Sequence, residues 1–162
     1  MAMTAYMKIK GKNQGDIKGD CTQKGREDTI LCYSLDHSVE IPRDTHTGLP
    51  TGQRIHKPFK ITTHIGKHTP KIFQACCTGE NVDVDLEAYQ INEKGQEEKY
   101  YTVKLQNAIV VDAREWYPTT FLEENKAYRH MQDVFFTYET IIWTYVKDGI
   151  ESEDSWKKPA GS

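Results

Sequence analysis

The sequence predicts a mainly all-β fold, a closed or nearly closed barrel or sandwich with a single short α-helix. Three observations predict it. Several stretches alternate apolar and polar residues with a period of two, as half-buried strands do: Thr29–Pro42, Phe59–Ile65 and Val82–Leu86. One segment, Thr69–Thr78, has a convincing helical pattern and helical start and stop signals. Strand follows strand with little helix to cover exposed edges, and closing the sheet on itself removes them.

From the N-terminus, Ala5–Lys10 reads as a short strand with Met7 and Ile9 opposite Tyr6 and Lys8. Gly11–Arg26 is rich in Gly, Asp, Asn, Gln and Lys and reads as a loop, long enough to contain a turn. In Thr29–Pro42, Leu31, Tyr33, Leu35, His37, Val39 and Ile41 share one face, and the run fits one bent strand or two joined at Asp36–Ser38. The next segment, Arg43, Asp44, Thr45, His46, Thr47, Gly48, Leu49, Pro50, Thr51, Gly52, Gln53 and Arg54, is broken by two glycines and a proline. It links two strands, is too long for a tight hairpin and is expected to project from the body, with Leu49 as its one apolar residue.

Phe59, Ile61, Thr63 and Ile65 point to one side of the following strand, and Lys60, Thr62 and His64 to the other. For the helix, Thr69 is the expected N-cap, Pro70 suits the first helical position, and Ile72, Phe73, Cys76 and Cys77 form an apolar face. Gly79 is placed to end it in a left-handed conformation. Val82, Val84 and Leu86 then alternate with Asp83, Asp85 and Glu87, and a parity change toward Tyr89 and Ile91 predicts a bulge near Ala88. Asn92–Glu98 reads as a hairpin loop. Tyr101, Val103, Leu105, Ile109 and Val111 are the expected core face of the next strand.

Asp112–Arg129 reads as irregular, with Trp116, Tyr117, Phe121 and Leu122 available to pack it down. Asp133–Val146 reads as one strand with large apolar groups on both faces: Val134, Phe136, Tyr138 and Ile142 on one, Phe135, Ile141, Trp143 and Tyr145 on the other. A strand of that kind is covered on both sides, so the second face, Phe135, Ile141, Trp143 and Tyr145, is the expected subunit interface. Residues 147–162 read as a polar C-terminal tail in which Trp156 stands alone.

Composition narrows the function. The chain of 162 residues suits one domain, residues 1–162. Its formal charge of -3 gives no basic footprint for nucleic acid, and no apolar run approaches the ~20 residues of a membrane span. The N-terminus shows no apolar core after a basic start, so no Sec-type signal peptide is expected. The four cysteines are expected as reduced thiols, three in or near the core. His64 and His68 straddle a strand–helix junction and do not share a helical face, so they favour ordinary polar roles over metal binding; His56, beside Arg54 and Lys57, is expected to shape loop contacts. A thiolate at the C-terminal end of a helix is not favoured by the dipole, so Cys76 and Cys77 read as packing residues. Asp83, Asp85 and Glu87 lack an accompanying aromatic sugar platform and read as solvated surface or lumen rather than as a glycosidase pair. No catalytic residue, metal site or cofactor is expected.

Several strings together resemble one family. They are His37-Ser-Val39-Glu-Ile-Pro42, Thr47-Gly48-Leu-Pro50-Thr-Gly52-Gln-Arg54-Ile-His56-Lys57-Pro58, Thr69-Pro70, Ala75, Gly79-Glu80, Val84-x-Leu86-x-x-Tyr89, Gly95, Tyr100, Asn107-Ala108-Ile109-Val110 and Asp154-Ser-Trp156-Lys-Lys-Pro159. The chain resembles the haemolysin-coregulated protein (Hcp) family of bacterial type VI secretion along nearly its whole length. The resemblance implies a β-barrel of two antiparallel sheets with one helix, six copies closing into a hexameric ring, and rings stacking into a secreted inner tube. It implies a structural protein, cytoplasmic before firing and then secreted, that carries effectors in its lumen. Its partners would be other rings and the sheath, spike and effector proteins, not nucleic acid or membrane. It makes Arg43–Arg54 the ring-stacking loop. Two other readings compete: a monomeric ligand-binding barrel with an internal pocket and, more remotely, a hydrolase built on His64, His68 or the acidic row.

Overall fold

The computed structural model describes residues 3–157; Lys158 and Pro159, at the end of the last resembling string, lie outside them. Among the described residues eleven strands and one helix follow in the order β1 (Thr4–Gly11), β2 (Gly15–Ile17), β3 (Ile30–Asp36), β4 (Val39–Glu40), β5 (Ile55–His56), β6 (Phe59–His64), α1 (Thr69–Thr78), β7 (Asn81–Ile91), β8 (Glu97–Trp116), β9 (Met131–Thr137), β10 (Thr140–Tyr145) and β11 (Ile150–Ser155). A single 3-10 turn, Glu123–Asn125, lies between β8 and β9.

All strand pairs are antiparallel, and β8–β7–β1–β3–β6–β9 closes into a six-stranded barrel because β9 pairs back onto β8. The long β8 makes closure possible: its first half pairs with β7 and β10, its second half with β9. Strands β10 and β11 extend the sheet outward from β8, β2 pairs with β1, and β4 and β5 form a separate two-stranded ribbon. The interior is filled by side chains, among them Met7, Ile30, Phe59, Ile61, Leu86, Leu105, Val134, Phe136 and Ile141, with Ile72 and Ala75 supplied by α1. That filling leaves the barrel a packed core rather than a ligand cup.

Parity along β6 and β7 follows the alternation. Phe59, Ile61, Thr63, Val82, Val84 and Leu86 are buried, and the β7–β8 register shifts at Ala88–Tyr89 where the pattern slipped. Gly79 takes φ +68° and closes α1 by donating its N–H to the Ala75 carbonyl. The helix starts one residue earlier than expected: His68 is the N-cap, and Thr69 is inside the first turn with its hydroxyl accepting the Gly66 N–H.

Other elements differ from the expectation. Gly11–Arg26 contains β2, which folds back on β1 and buries Ile17. In β8 the inward parity changes at Asn107, a non-glycine residue at φ +49°. Val103 and Leu105 point inward before it and Ala108 and Val110 after it, so Val111 is outside and Ile109 only partly covered. The strand runs on through residues 112–116, which read as loop. Asp133–Val146 is not one strand: a corner at Tyr138–Glu139 divides β9 from β10, and the parity change across it turns Ile141 into the core at 0 % exposure. Residues 147–162 are more than a tail, since β11 pairs with β10 along its whole length. All four cysteines are free, but Cys32 alone is buried; Cys76 packs against the core, Cys21 is partly covered and Cys77 exposed. Burial pushes the Cys32 thiol pKa up, which suits an inert packing residue.

Candidate functional site

The segment expected to project is carried on a two-stranded ribbon separate from the barrel sheet. Its base is β4 paired with β5, Val39 opposite His56 and Glu40 opposite Ile55. Further out, Arg43 bridges Pro50, and the Thr51 N–H reaches the Pro42 carbonyl at 2.8 Å. The tip is held by its own bonds. Asp44 accepts the N–H groups of His46 and Thr47 at 2.7 and 3.0 Å, an Asx turn. Those bonds hold its carboxyl below the usual carboxylate range. The Asp44 N–H donates to Leu49, and Gly48, at φ +73°, donates back to Asp44. Leu49 stands out at 65 % exposure.

The foot of the ribbon is a buried polar network. Arg54 grips Asp154 through Nε at 2.7 Å and Nη2 at 3.3 Å and gives a further bond to the Ser155 carbonyl at 2.8 Å. His56 Nε2 lies 2.6 Å from Asp154 Oδ2, and its Nδ1 lies 2.7 Å from the Tyr138 hydroxyl. His37 Nε2 approaches the same hydroxyl at 2.7 Å. Beside Arg54, Asp154 is acceptor-only, so a neutral His56 donates to it from Nε2 and accepts from Tyr138 at Nδ1. Tyr138 then has only a lone pair left for His37, which donates. Burial, reinforced by the Asp154 charge, pushes the Tyr138 hydroxyl pKa up. Burial, followed by the proximity of His56, pushes the His37 pKa down. Trp143 stacks on His56 at 6.5 Å with the planes 14° apart, and Trp156 meets the same ring edge-on at 5.2 Å. Trp156 is therefore docked on its own subunit's ribbon, and β11 serves to deliver Asp154.

This arrangement positions a loop and is unsuited to nucleophilic chemistry. The Tyr138 hydroxyl is held protonated, and Tyr138 and Asp154 are 5 % and 8 % exposed. Of the six histidines, His37 and His56 are in the network; His64 contacts Tyr33 at 3.2 Å and His68 is enclosed beside it. Among the described residues no group of three or more His, Cys, Asp or Glu is placed to hold a metal ion. The acidic row lies on the outer face, where Glu87 pairs with Lys99 at 3.2 Å and Asp83 accepts the Asn107 N–H.

The residues expected at the subunit interface separate. Phe135 is half-buried under Lys60, Trp143 packs partly against the core, and Tyr145 is 38 % exposed. Ile141 is wholly interior and presents no surface to a partner, which corrects its assignment to that face. Other apolar residues are more uncovered: Tyr33, Leu35, Val39, Ile41 and Ile55 are 42–57 % exposed along β3, the ribbon and its approach, with Val39 and Ile55 on opposite sides of the ribbon. The period-2 run at 29–42 was the available signal, but alternation alone does not say which face is inside.

Comparisons with known proteins fit this geometry. A family model described as "Type VI secretion system effector, Hcp" matches residues 6–145. The "Major exported protein" of Pseudomonas aeruginosa is 37 % identical over 169 aligned residues, covering 98 % of both chains. A crystal structure of an Hcp protein superposes with a TM-score of 0.89 at 28 % identity over 96 % of this chain and 98 % of that one. The Hcp1 protein of the E. coli EAEC 042 pathovar gives 0.84 at 33 % identity, covering 96 % and 99 %. The secreted protein Hcp3 of Pseudomonas aeruginosa gives 0.78 at 32 %, again covering 96 % and 99 %.

Proposed function

The chain belongs to the Hcp family, the secreted tube proteins of type VI secretion, and from that premise we propose that it is a structural subunit whose copies close into a six-membered ring and stack end to end through the ribbon. The projecting tip supports this reading more than any other observation. It offers an exposed Leu49 on a loop whose shape is set by its own hydrogen bonds and whose direction is set by a buried network at its foot. A loop ordered in advance loses little conformational freedom on docking. Side-by-side contacts use the exposed apolar residues Tyr33, Leu35, Val39 and Ile41, together with the Tyr145 side of β10.

The proposed working cycle is a cytoplasmic assembly that sheath and spike proteins propel from the cell, with small effectors held in the lumen. No step requires a bond to be made or broken by the subunit. Electron microscopy of the purified protein tests the reading. Annuli with an open centre, passing into short stacks at higher concentration, are expected; a field of single small particles at micromolar concentration would sink it.

A further inference from the structure

The loop between β8 and β9, residues 117–130, has no role in the reading above, and its side chains face the wrong way for a structural connector. Phe121 is 85 % exposed, the largest value among the exposed large apolar residues, and Leu122, Tyr117 and Tyr128 are exposed with it. Tyr128 meets the Trp116 ring of β8 at 6.1 Å and Tyr117 the His130 ring at 5.2 Å, whereas Phe121 stands out furthest into solvent. The next residues are charged: Glu123 and Glu124 lie in the 3-10 turn, and Lys126 follows with its Nζ 2.6 Å from Glu123. The sequence of features is a large ring, two carboxylates and a cation.

A matching shape lies at the other end of the same strand pair. β6 and β9 pair from Phe59–Phe136 to His64–Met131. The 117–130 loop leaves from the Met131 end, where the Ile65 N–H bonds to the His130 carbonyl. Beside the Phe59 end, next to the foot of the ribbon, is a groove of about 210 Å³ lined by His37, Pro58 and Phe135, with Lys57, Lys60 and Asp36 among its walls. Lys60 lies 5.7 Å from the Phe135 ring, and Lys57 pairs with the half-exposed Glu40 at 3.4 Å. The apolar floor suits one aromatic ring, the two lysines suit Glu123 and Glu124, and Asp36 suits Lys126.

We infer that the 117–130 loop is an arm that inserts Phe121 into the His37–Pro58–Phe135 groove of a second copy of this chain. The inference rests on the stacking reading and adds a second contact to it. Arm and groove sit at opposite ends of β6 and β9, so the contact is head-to-tail and repeats from copy to copy.

The test uses full-length protein, with rings scored by sizing and stacks by sedimentation and imaging. Phe121→Asp should leave rings intact and lower the stacked fraction roughly tenfold, as loss of a buried aromatic anchor does. Lys57→Glu with Lys60→Glu should do the same, as should Glu123→Lys with Glu124→Lys. The variant carrying all four reversals restores the complementary signs and should regain stacking. If Phe121→Asp stacks like the parent, or the fourfold reversal restores nothing, the arm is not the contact while the tube reading stands. If Phe121→Asp splits rings into monomers, the contact is lateral and the head-to-tail form is wrong. A parent protein that never forms rings or stacks removes both.

Discussion

The two loops at opposite ends of β6 and β9 are hung in similar ways and built differently beyond their attachments. Each hangs on a buried carboxylate. Asp154 receives Arg54 and His56 beneath the ribbon. Asp133 receives the Thr62 hydroxyl at 2.8 Å, the Trp116 indole at 3.1 Å and Arg114 at 3.4 Å beneath the 117–130 arm. Past its foot the ribbon is braced by strand pairing, a bridge and an Asx turn. Past Trp116 the arm has one 3-10 turn and contacts among exposed groups, such as the Tyr117–His130 ring pair at 5.2 Å. The ribbon is therefore braced by strand pairing as well as by its own turn, whereas the arm is held by one short turn and a few bonds within the loop.

The largest effect expected from breaking this comparison is at the Asp154 foot. Asp154→Ala leaves Arg54 and His56 without their shared acceptor in a buried setting, and a loss of about 3–5 kcal/mol is expected in denaturant unfolding. At the other foot, Asp133→Ala should cost less, about 1.5–3 kcal/mol, because Arg114 is already 64 % exposed and returns to water. Equal losses at the two feet would erase the distinction.

A pH titration sharpens the contrast next, because the two ends treat their histidines differently. His37 and His56 are hydrogen-bonded, whereas neither ring nitrogen of His68 has a partner among the described residues, and its exposure is 0 %. Burial first, and the nearby His64 charge second, lower the His68 pKa from 6.5 to about 4. Between those values the unfolded chain binds a proton that the folded chain refuses. Stability is therefore complete above about pH 6.5 and falls as the pH approaches 4, by up to about 3 kcal/mol. His68→Phe should flatten that slope; an unchanged slope would place the acid sensitivity elsewhere.

The smallest effect on the subunit is expected at the tip. Leu49→Ser should change stability by less than about 0.5 kcal/mol, since Leu49 is 65 % exposed and outside the barrel ladder. It should nonetheless reduce stacking with rings unchanged. A clear loss of stability would mean that the tip is part of the fold.

Much of this was legible in the sequence because it is local. The parity of Phe59, Ile61 and Thr63, the Gly79 stop and the slip near Ala88 each leave a mark within a few residues. The missed features are not local. Asn107 reverses the parity of β8 through a left-handed backbone angle that asparagine tolerates but does not require, so the residue alone does not mark it. The corner at Tyr138–Glu139 interrupts an apolar run without a glycine or proline. β11 is a polar outer strand with little apolar alternation to read. The foot of the ribbon joins His37, His56, Tyr138 and Asp154, partners about a hundred residues apart, so only folding brings its chemistry together. The break between the two strands of the ribbon is legible, because Gly48, Pro50 and Gly52 show where regular structure must stop.

The claim beneath all of these comparisons is that the subunit is made to be joined by copies of itself, and native mass spectrometry of the purified chain tests it most directly. The account predicts a dominant species of six times the 18.7 kDa chain mass, with multiples of that species as concentration rises. A single 18.7 kDa species persisting into the micromolar range would contradict it.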